Sequence, residues 1–384
     1  MEELLTRAVE RVYPSPEIAK KLLSAGKPLR IYFGIDPTGS ELHLGHTVAL
    51  LFMKRLLDAG HQPILLVGDF TARIGDPTDK DATRQPLSPE QVKANAATYW
   101  DQMGKILPLE KVERHGNSEW YEHMTLQQFE EIKATVTVQQ LVARDMFQRR
   151  LEAGKPIHAH ELDYPVFQGY DTVAMDADGE VGGNDQTFNM LMGRDMLKHF
   201  KNKEKIVFSL KLLADPATGK KMSKTEGTLV AITQDPESMF GGIMAFSDGM
   251  IEPAFEMITD LSMERVQEAT SRLAQGENPK NLKQELAFEI VRMYHGKEAA
   301  EKAQEEFTRV FSKKEMPDAM PEHKGGELTE VLVSSGLVSS NNEAHRLLEQ
   351  NAVKVNGKAA SDSRFVVQAG DIIKVGARRF LRIV

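Results

Sequence analysis

Short apolar runs alternate with amphipathic stretches from residue 29 to about residue 225. Runs of buried type, such as 63–67 and 206–208, are followed by segments whose apolar residues recur at helical spacing. This order is typical of strands and helices in a parallel sheet covered on both faces. The pattern predicts an α/β fold with a doubly wound, Rossmann-like catalytic domain over residues 1–230. Residues 117–157 have a helical pattern, and we expect them to form an insertion between the two halves of the sheet.

The pattern changes twice after the predicted sheet. Residues 231–311 are almost wholly helical in pattern, which indicates a helical domain. A polar stretch with two prolines and a glycine pair, residues 312–326, predicts a linker. Residues 327–384 then combine helical and strand-like segments, as expected for a small α+β domain. These segments are 328–335 and 342–350 for the helices, and 353–357 and 371–375 for the strands.

Composition narrows the class of protein without deciding it. The chain has 384 residues, 41% of them hydrophobic, enough for a large core and one or two smaller domains. It contains no cysteine, which excludes disulfides and thiolate chemistry. The first residues are acidic and amphipathic, unlike a signal peptide, and no apolar run approaches the roughly 20 residues that span a bilayer. We therefore expect a soluble, cytoplasmic protein without membrane contact.

Charge is distributed unevenly along the chain. The formal net charge is −8, which does not by itself indicate a nucleic-acid-binding protein. Residues 327–384 nevertheless contain eight Lys or Arg against six Asp or Glu, so this end is weakly basic. The asymmetry favours RNA contact concentrated in one patch.

Candidate chemistry begins directly after the apolar run 29–33. A loop with Pro and Gly leads into an amphipathic segment, which predicts a strand, a loop and a helix. His43 and His46 are three residues apart and share a face of the first helical turn, beside amide groups whose dipoles favour a phosphate. Gly45 lets a base or ribose approach the backbone. A metal pair is a poorer interpretation, because the glutamate of a His-Glu-x-x-His motif and any cysteine are absent.

A second candidate is the segment Lys-Met-Ser-Lys-Thr at residues 221–225. Its two lysines, in a polar loop flanked by glycine, suit mobile point-charge contact with polyphosphate. A lysine-rich loop is usually only solvated, and each motif alone decides little. Together and in this order they indicate an ATP-activating site. A Walker phosphate loop is excluded, since Ala214 occupies the place of its first glycine.

Both motifs resemble the signatures of the class I aminoacyl-tRNA synthetases. Other segments narrow the resemblance to the bacterial tyrosyl-tRNA synthetase family, and it runs over nearly the whole chain. The C-terminal domain is similar to a small RNA-binding domain shared with a ribosomal small-subunit protein. The segments that carry the resemblance are His43-Leu44-Gly45-His46, Lys221-Met222-Ser223-Lys224-Thr225, Tyr32 with 34–38, and 74–77, 164–171 and 182–186.

The resemblance implies an ATP-dependent, AMP-forming ligase. Such an enzyme activates L-tyrosine to tyrosyl-adenylate with release of pyrophosphate, and transfers the tyrosyl group to the 3′ end of tRNA(Tyr). The resemblance also implies magnesium carried with ATP, no dedicated protein metal site, and a homodimer. The implied catalytic residues are His43, His46, Lys221 and Lys224. The implied ATP-binding residues are Gly34, Asp36, His43, Gly45, His46, Asp185, Lys221, Ser223 and Lys224.

Tyrosine and tRNA recognition are implied for further positions. Tyr32 and Asp171 match the family residues that contact the tyrosine hydroxyl. Three others, Asp76, Tyr164 and Gln168, match those around the α-amino group. The full tyrosine-binding set is Tyr32, Asp76, Tyr164, Gln168, Asp171 and Gln186. The implied tRNA-binding residues are Arg346 and Lys354, although the second helix of this domain is less basic than is usual in the family.

Three other classes of protein remain open from the sequence. Tryptophanyl-tRNA synthetase shares the fold and chemistry, but an indole site has no evident use for Tyr32 and Asp171. Small-molecule nucleotidyltransferases also use a His-x-x-His nucleotide site, but they do not require an RNA-binding domain. An RNA-binding protein on a synthetase scaffold would not need the intact motif lysines and histidines.

Overall fold

The computed structural model describes residues 2–78, 87–216, 218–219, 229–309, 320–338, 340–360, 362–376 and 379–384. The chain divides into two units, residues 1–303 and 304–384. Lys221, Ser223 and Lys224 lie outside the described residues, as do residues 312–319 of the predicted linker.

Six strands form the central sheet of the first unit: β1 (Val9–Tyr13), β2 (Arg30–Ile35), β3 (Gln62–Val67), β4 (Glu113–Gly116), β5 (Gly179–Gly183) and β6 (Ile206–Leu210). They lie in the order β1, β6, β5, β2, β3, β4. All neighbours are parallel except β1, which runs antiparallel to β6 at the edge. The sequence analysis did not predict β1, whose short segment mixes charged and apolar residues.

The strand order places a crevice at the centre of the sheet. After β2 the chain adds β3 and β4 on one side, and later adds β5 and β6 on the other. The direction of growth therefore reverses between β2 and β5. Ligands of doubly wound sheets bind at this point, outside the carboxyl ends of the strands. The predicted α/β fold class is confirmed.

Helices precede, connect and follow the strands of the central sheet. They are α1 (Glu3–Thr6), α2 (Pro16–Leu23), α3 (Leu44–Asp58), α4 (Thr71–Ile74), α5 (Pro89–Ala96), α6 (Tyr99–Gly104), α7 (Ser118–Tyr121), α8 (Leu126–Lys133), α9 (Val138–Val142), α10 (Asp145–Glu152), α11 (Ala159–Ala174), α12 (Thr187–Lys201), α13 (Pro236–Met244), α14 (Ile251–Ile258), α15 (Met263–Ala274), α16 (Pro279–His295) and α17 (Lys297–Phe307). Three short 3₁₀ turns add Leu109–Lys111, Asn184–Gln186 and Asp248–Met250.

The two faces of the sheet are covered by different helices. Side chains alternate between faces along a strand, so Tyr32 and Phe33 of β2 point in opposite directions. α3 packs on the Phe33 face, where the rings of Phe52 and Phe208 lie 5.0 Å apart between centroids. α11 lies on the Tyr32 face, where the hydroxyls of Thr172 and Tyr32 share a hydrogen bond. The Tyr32 face therefore carries the polar groups described below.

The helical stretches that the sequence predicts are present in the first unit. Residues 117–157 contain α7 to α10, which lie in the chain between β4 and β5. Residues 231–303 contain α13 to α16 and the first part of α17. The boundary at residue 230 between a catalytic and a helical domain stays a prediction.

The second unit has a five-stranded sheet and a separate two-stranded pair. Its helices lie close to where the sequence predicts them, and their apolar faces join the sheet in one core that includes Leu332, Leu348 and Ile373. Its elements are β7 (Glu322–His323), β8 (Gly326–Glu327), α18 (Leu328–Ser334), α19 (Asn341–Glu349), β9 (Val353–Val355), β10 (Lys358–Ala359), β11 (Val366–Val367), β12 (Ile372–Val375) and β13 (Arg379–Ile383). The five-stranded order is β10, β9, β12, β13, β7, and β8 pairs with β11.

Candidate active site

A cavity of about 420 Å³ lies at the carboxyl ends of β2 and β5. This volume is in the range of small-molecule sites. Every residue predicted for ATP or tyrosine binding in the described part of the chain lines it. These residues are Tyr32, Gly34, Asp36, His43, Gly45, His46, Asp76, Tyr164, Gln168, Asp171, Asp185 and Gln186.

The two motif histidines cap the N-terminus of α3. His43 is the N-cap residue, and its Nδ1 accepts a hydrogen bond from the backbone N–H of Gly45 at 3.1 Å. The Nδ1 atom of His46 accepts from the backbone N–H of His43, also at 3.1 Å. An imidazole that accepts at Nδ1 carries its proton on Nε2 when neutral. Both rings therefore present an Nε2–H donor away from the backbone.

Burial keeps His46 neutral. Burial and, to a smaller extent, the adjacent His43 together lower the pKa of His46 to about 3. The two rings stack with centroids 3.7 Å apart. A Cβ at Gly45 would come within 2.9 Å of Cε1 of His43, so glycine is required for this stacking. From the sequence, Gly45 is expected only to let a ligand approach the backbone. Room for the His43 ring is a second reason for glycine at this position.

The loop before α3 places Asp36 against α11 and α4. Its Oδ2 accepts a hydrogen bond from the Tyr164 hydroxyl at 3.0 Å, and its Oδ1 accepts from the Thr71 hydroxyl at 2.7 Å. A Cβ at Gly68 would lie 2.0 Å from Oδ1 of Asp36, so only glycine leaves room for the carboxylate. Burial raises the pKa of Tyr164 well above its usual value, and Asp36 and Asp76 add to the rise. Tyr164 is therefore a neutral hydrogen-bond donor.

A chain of amide side chains joins two carboxylates along the cavity. Gln186 donates to Oδ2 of Asp76 at 2.7 Å, and Asn189 donates to Oε1 of Gln186 at 2.9 Å. Asn189 also donates to Oε1 of Gln168 at 2.9 Å, and Gln168 donates to Oε1 of Glu180 at 3.1 Å. Every amide in the chain has its orientation set by these bonds. The carboxylate of Asp76 makes its end of this wall suitable for a cation, whereas Glu180 at the other end is paired with Lys205.

Tyr32 and Asp171, the pair predicted to contact the tyrosine hydroxyl, are both buried, and hydrogen-bond donors surround Asp171. Asp171 is 3% exposed and accepts from Trp120 Nε1 at 3.0 Å and from the Tyr121 hydroxyl at 2.8 Å. Asn117 donates to its second oxygen at 3.4 Å. Burial raises the pKa of Asp171 to about 8, and these hydrogen bonds oppose the rise. The hydroxyl of Tyr32 lies 2.9 Å from Oγ1 of Thr172.

Sequence reasoning missed the residues that support the predicted ones. Their sequence separations are large and their residue types are common, so no local pattern marks them. Thr172 illustrates this: its burial implies a hydrogen-bond partner, but that burial is visible only in the folded chain. The missed residues are Asn117, Trp120, Tyr121, Thr172, Glu180 and Asn189.

The backbone that follows the second motif is held against the first. The N–H of Leu44 donates to the carbonyl of Val230 at 3.0 Å, and the N–H of Ile232 donates to that of Leu42 at 3.0 Å. On the other side of the undescribed segment 220–228, Leu213 lines the cavity. The chain after this segment is therefore held against the first motif, and Leu213 before it lines the cavity, while Lys221, Ser223 and Lys224 themselves are outside the described residues.

The predicted tRNA-binding residues lie on the surface of the second unit. Arg346 is exposed on α19 and Lys354 is exposed on β9. Lys354 is paired directly with Lys374 of β12 across antiparallel strands. Nζ of Lys374 lies 4.8 Å from the centroid of the Phe380 ring. Two like charges placed opposite each other are unfavourable without an anion.

Two structural findings concern metals and membranes. The described residues contain no group of three or more His, Cys, Asp or Glu side chains that could hold a metal ion. In the same part of the chain, no helix combines the length and hydrophobicity that a membrane span requires.

Two family models match this chain. Residues 24–312 match the family described as class I tRNA synthetases (W and Y). Residues 306–377 match the family described as the tyrosine--tRNA ligase SYY-like C-terminal domain. The first match covers most of the unit that carries the cavity, and the second covers most of the second unit.

Full-length relatives agree with both matches. The tyrosine--tRNA ligase of Carboxydothermus hydrogenoformans is 42% identical over 398 residues, covering 100% of this chain and 97% of the relative. Tyrosine--tRNA ligase 2 of Vibrio parahaemolyticus is 40% identical over 383 residues, covering 99% and 97%.

Solved structures with low sequence identity share the fold. A C-terminally truncated mitochondrial tyrosyl-tRNA synthetase of Aspergillus nidulans superposes with a TM-score of 0.67 at 21% identity, covering 81% of this chain and 92% of that one. The tyrosyl-tRNA synthetase of Archaeoglobus fulgidus, solved with L-tyrosine, gives a TM-score of 0.62 at 19% identity, covering 79% and 98%. With the motif histidines at a helix start in the crevice of the sheet, the family models and the full-length relatives show that the chain belongs to the class I aminoacyl-tRNA synthetases, among the bacterial tyrosine--tRNA ligases.

Proposed function

We propose that this chain activates L-tyrosine with ATP and then transfers the tyrosyl group to the 3′ end of tRNA(Tyr). The enzyme class, an aminoacyl-tRNA ligase, follows from family membership. One observation carries the substrate assignment. A single cavity is lined both by donors suited to phosphates and by the buried pair Tyr32 and Asp171.

In the first step the tyrosine carboxylate attacks the α-phosphorus of ATP. A carboxylate–phosphorus bond forms, the bond to the bridging oxygen breaks, and pyrophosphate leaves. The carboxylate is already ionised at neutral pH, so no general base is needed. The protein's contribution is alignment of the two substrates and stabilisation of charge on the phosphoryl oxygens.

The N-terminus of α3 supplies that stabilisation. We assign the Nε2–H groups of His43 and His46 to the phosphate oxygens, where the helix dipole also favours negative charge. By resemblance, Lys221 and Lys224 close over the departing pyrophosphate. Val230 follows the lysine motif in the chain, and its carbonyl accepts a hydrogen bond from the N–H of Leu44 in the first motif. This contact supports a position of the lysines near the histidines. Magnesium would arrive with the triphosphate, since it binds phosphate oxygens and water in preference to all-protein sites.

The rest of the cavity fits tyrosine. The wall between Asp76 and Gln168 suits the α-ammonium, which needs acceptors and negative charge. The phenol fits Tyr32 and Asp171. Gly34, Gly45 and Asp36 are assigned to the ATP side of the cavity, with Asp185 and Ser223 from the resemblance.

Tryptophan is the nearest alternative substrate, because the larger family includes enzymes for both amino acids. An indole N–H offers one donor and no acceptor, so it would give the Tyr32 hydroxyl no acceptor in the substrate. The tyrosine-type C-terminal domain and the named relatives also favour tyrosine.

For tRNA we propose contact through Arg346 and Lys354, with Lys374 beside the latter. We also propose a homodimer, which the family resemblance implies. A cytoplasmic location fits the absence of cysteine.

The deciding experiment is amino-acid-dependent exchange of labelled pyrophosphate into ATP, followed by charging of total tRNA. We expect exchange with tyrosine and charging of tRNA(Tyr) alone. Exchange that depends on tryptophan, or no exchange with any amino acid, would overturn the proposal.

A further inference from the structure

A lysine with no exposed surface lies beneath the cavity. Lys205 precedes β6 and is 0% exposed. Its Nζ donates to Oε2 of Glu180, to Oγ1 of Thr172 at 2.7 Å and to the carbonyl of Met190 at 3.0 Å. An ammonium group has three protons, so each has an acceptor. Glu180 is itself only 2% exposed, and the two form a buried ion pair.

The surrounding backbone is shaped to admit this lysine. Gly193 of α12 faces the contact between Lys205 and Thr172. A Cβ at Gly193 would lie 2.6 Å from Nζ of Lys205 and 2.6 Å from Oγ1 of Thr172. Any other residue there would have to displace one of them, so α12 can pack closely only with glycine at this position.

Lys205 is linked to two cavity-lining residues, Tyr32 and Gln168, each through one intermediate hydrogen-bonding residue. One path runs through Thr172, whose Oγ1 is 2.9 Å from the hydroxyl of Tyr32. The other runs through Glu180, whose Oε1 accepts from Gln168 at 3.1 Å. Nζ of Lys205 also lies 5.4 Å from the centroid of the Tyr32 ring.

The direction of the first path follows from the chemistry of its members. Lysine can only donate, so Thr172 accepts from Lys205 and has its own proton left. Donation of that proton to Oη of Tyr32 leaves the Tyr32 proton available for another acceptor. Hydrogen bonds in such a chain polarise one another and strengthen the last donor. An acceptor in the cavity next to Tyr32 would therefore meet an oriented, strengthened O–H.

We propose that Lys205 is a positioning residue for substrate specificity: through Thr172 it orients the Tyr32 hydroxyl as the donor to the phenol oxygen of tyrosine. The proposal rests on the proposed function, since it needs tyrosine in the cavity. Asp171, which accepts hydrogen bonds from its three neighbours, then accepts one from the hydroxyl of the same phenol. The ion pair with Glu180 balances the positive charge of Lys205, which lets this ammonium group stay buried.

The test compares Thr172→Val with Thr172→Ser in pyrophosphate exchange. Valine has the shape of threonine without the hydroxyl, whereas serine keeps it. We expect the ratio of kcat/KM for tyrosine to that for phenylalanine to fall about tenfold in Thr172→Val and to stay near the wild-type value in Thr172→Ser. Activity with phenylalanine should change little in either variant, because phenylalanine has no hydroxyl to contact.

A second variant removes the charge without leaving an unpaired ion. Lys205→Met with Glu180→Gln takes away both members of the pair, and we expect the same loss of the ratio. An unchanged ratio in Thr172→Val, or an equal loss of kcat/KM with both amino acids, would overturn the positioning role. Tyrosine-dependent exchange by the wild type would still uphold the proposed function in that case. No tyrosine-dependent exchange by the wild type would overturn both.

Discussion

Nδ1 of His46 accepts a hydrogen bond from the backbone N–H of His43 at 3.1 Å, which turns the Nε2–H of His46 away from the helix. The bond belongs to a reciprocal capping arrangement at the start of α3. One contact thus completes the helix N-terminus and presents a neutral donor to an anion.

Replacing His46 with alanine should slow formation of tyrosyl-adenylate far more than it weakens tyrosine binding. The contact it removes strengthens as charge develops on the phosphoryl oxygens, and such contacts are worth about 2–4 kcal/mol in the transition state. Single-turnover measurements at varied tyrosine concentration separate the two effects. His123→Ala, an exposed histidine outside the cavity, is the matched control. An unchanged rate with only a raised tyrosine requirement would remove His46 from the phosphate site.

Gly45→Ala should lower the same rate by a different route. The added Cβ would lie 2.9 Å from Cε1 of His43, so the imidazole must move from its stacked position. We expect slower adenylate formation with a nearly normal tyrosine affinity. Gly241→Ala is the control, because that helical glycine has open space around its Cβ position, and it should stabilise α13 by roughly 0.5–1 kcal/mol. Equal activity of the two variants would contradict the prediction.

Tyr32→Phe should reduce discrimination between tyrosine and phenylalanine. The variant keeps the ring and loses one hydroxyl, at a cost of roughly 1 kcal/mol in the activation of tyrosine. A site built to bind a hydroxyl discriminates against the analogue that lacks it; the general example of this effect is tyrosyl-tRNA synthetase itself, at about 10⁵-fold. Asp171→Ala should have a larger effect. The ratio of kcat/KM values for the two amino acids measures both changes, and a wild-type ratio near unity would place substrate recognition elsewhere.

Asp171 should make stability depend on pH in a definite direction. Its pKa is raised to about 8 by burial, whereas an unfolded aspartate titrates near about 3.9. Between these values the folded chain holds a proton that the unfolded chain has released, so stability falls as pH rises. We expect the free energy of unfolding of Asp171→Asn, measured with urea, to rise relative to that of the wild type between about pH 5.5 and about pH 7.5. The rise should be at most about 1.4 kcal/mol per pH unit. A difference that does not vary with pH would show that Asp171 is ionised throughout.

Removal of the second unit should separate the two chemical steps. A chain ending at residue 312 retains the whole first unit with its cavity. We expect it to make tyrosyl-adenylate at the full-length rate, while charging of tRNA falls steeply, because adenylate formation involves no RNA. Pyrophosphate exchange and tRNA charging on the same preparation provide the comparison. Charging equal to that of the full chain would show that the second unit has no role in tRNA binding.

Lys354→Ala should weaken tRNA binding and leave tyrosine activation unaltered. Lys354 and Lys374 are directly paired across β9 and β12, and phosphate would relieve their repulsion. We expect the slope of log affinity against log salt to become shallower by about one unit, since one phosphate contact is lost. Lys302→Ala, on α17, is the control. Identical salt dependence of the two variants would exclude Lys354 from the interface.

The positions of the histidine motif could be predicted because they follow from local geometry. An apolar strand, a loop with Pro and Gly, and an amphipathic segment place His43 and His46 at a helix start whatever the rest of the chain does. The edge strand β1 could not be predicted, since its pairing with β6 joins residues about 200 positions apart and leaves no periodic signal.

The sequence by itself indicated which residues line the cavity. Tyr164, Gln168 and Asp171 are spaced by four and three residues, so α11 carries them on one face. Only the tertiary structure decided how those side chains are held. Tyr164 donates to Asp36 across 128 positions, and Lys205 reaches Thr172 across 33. A hydrogen bond or a buried charge needs its partner within about 3 Å, and only the packing of α11 and α12 on the sheet creates that proximity.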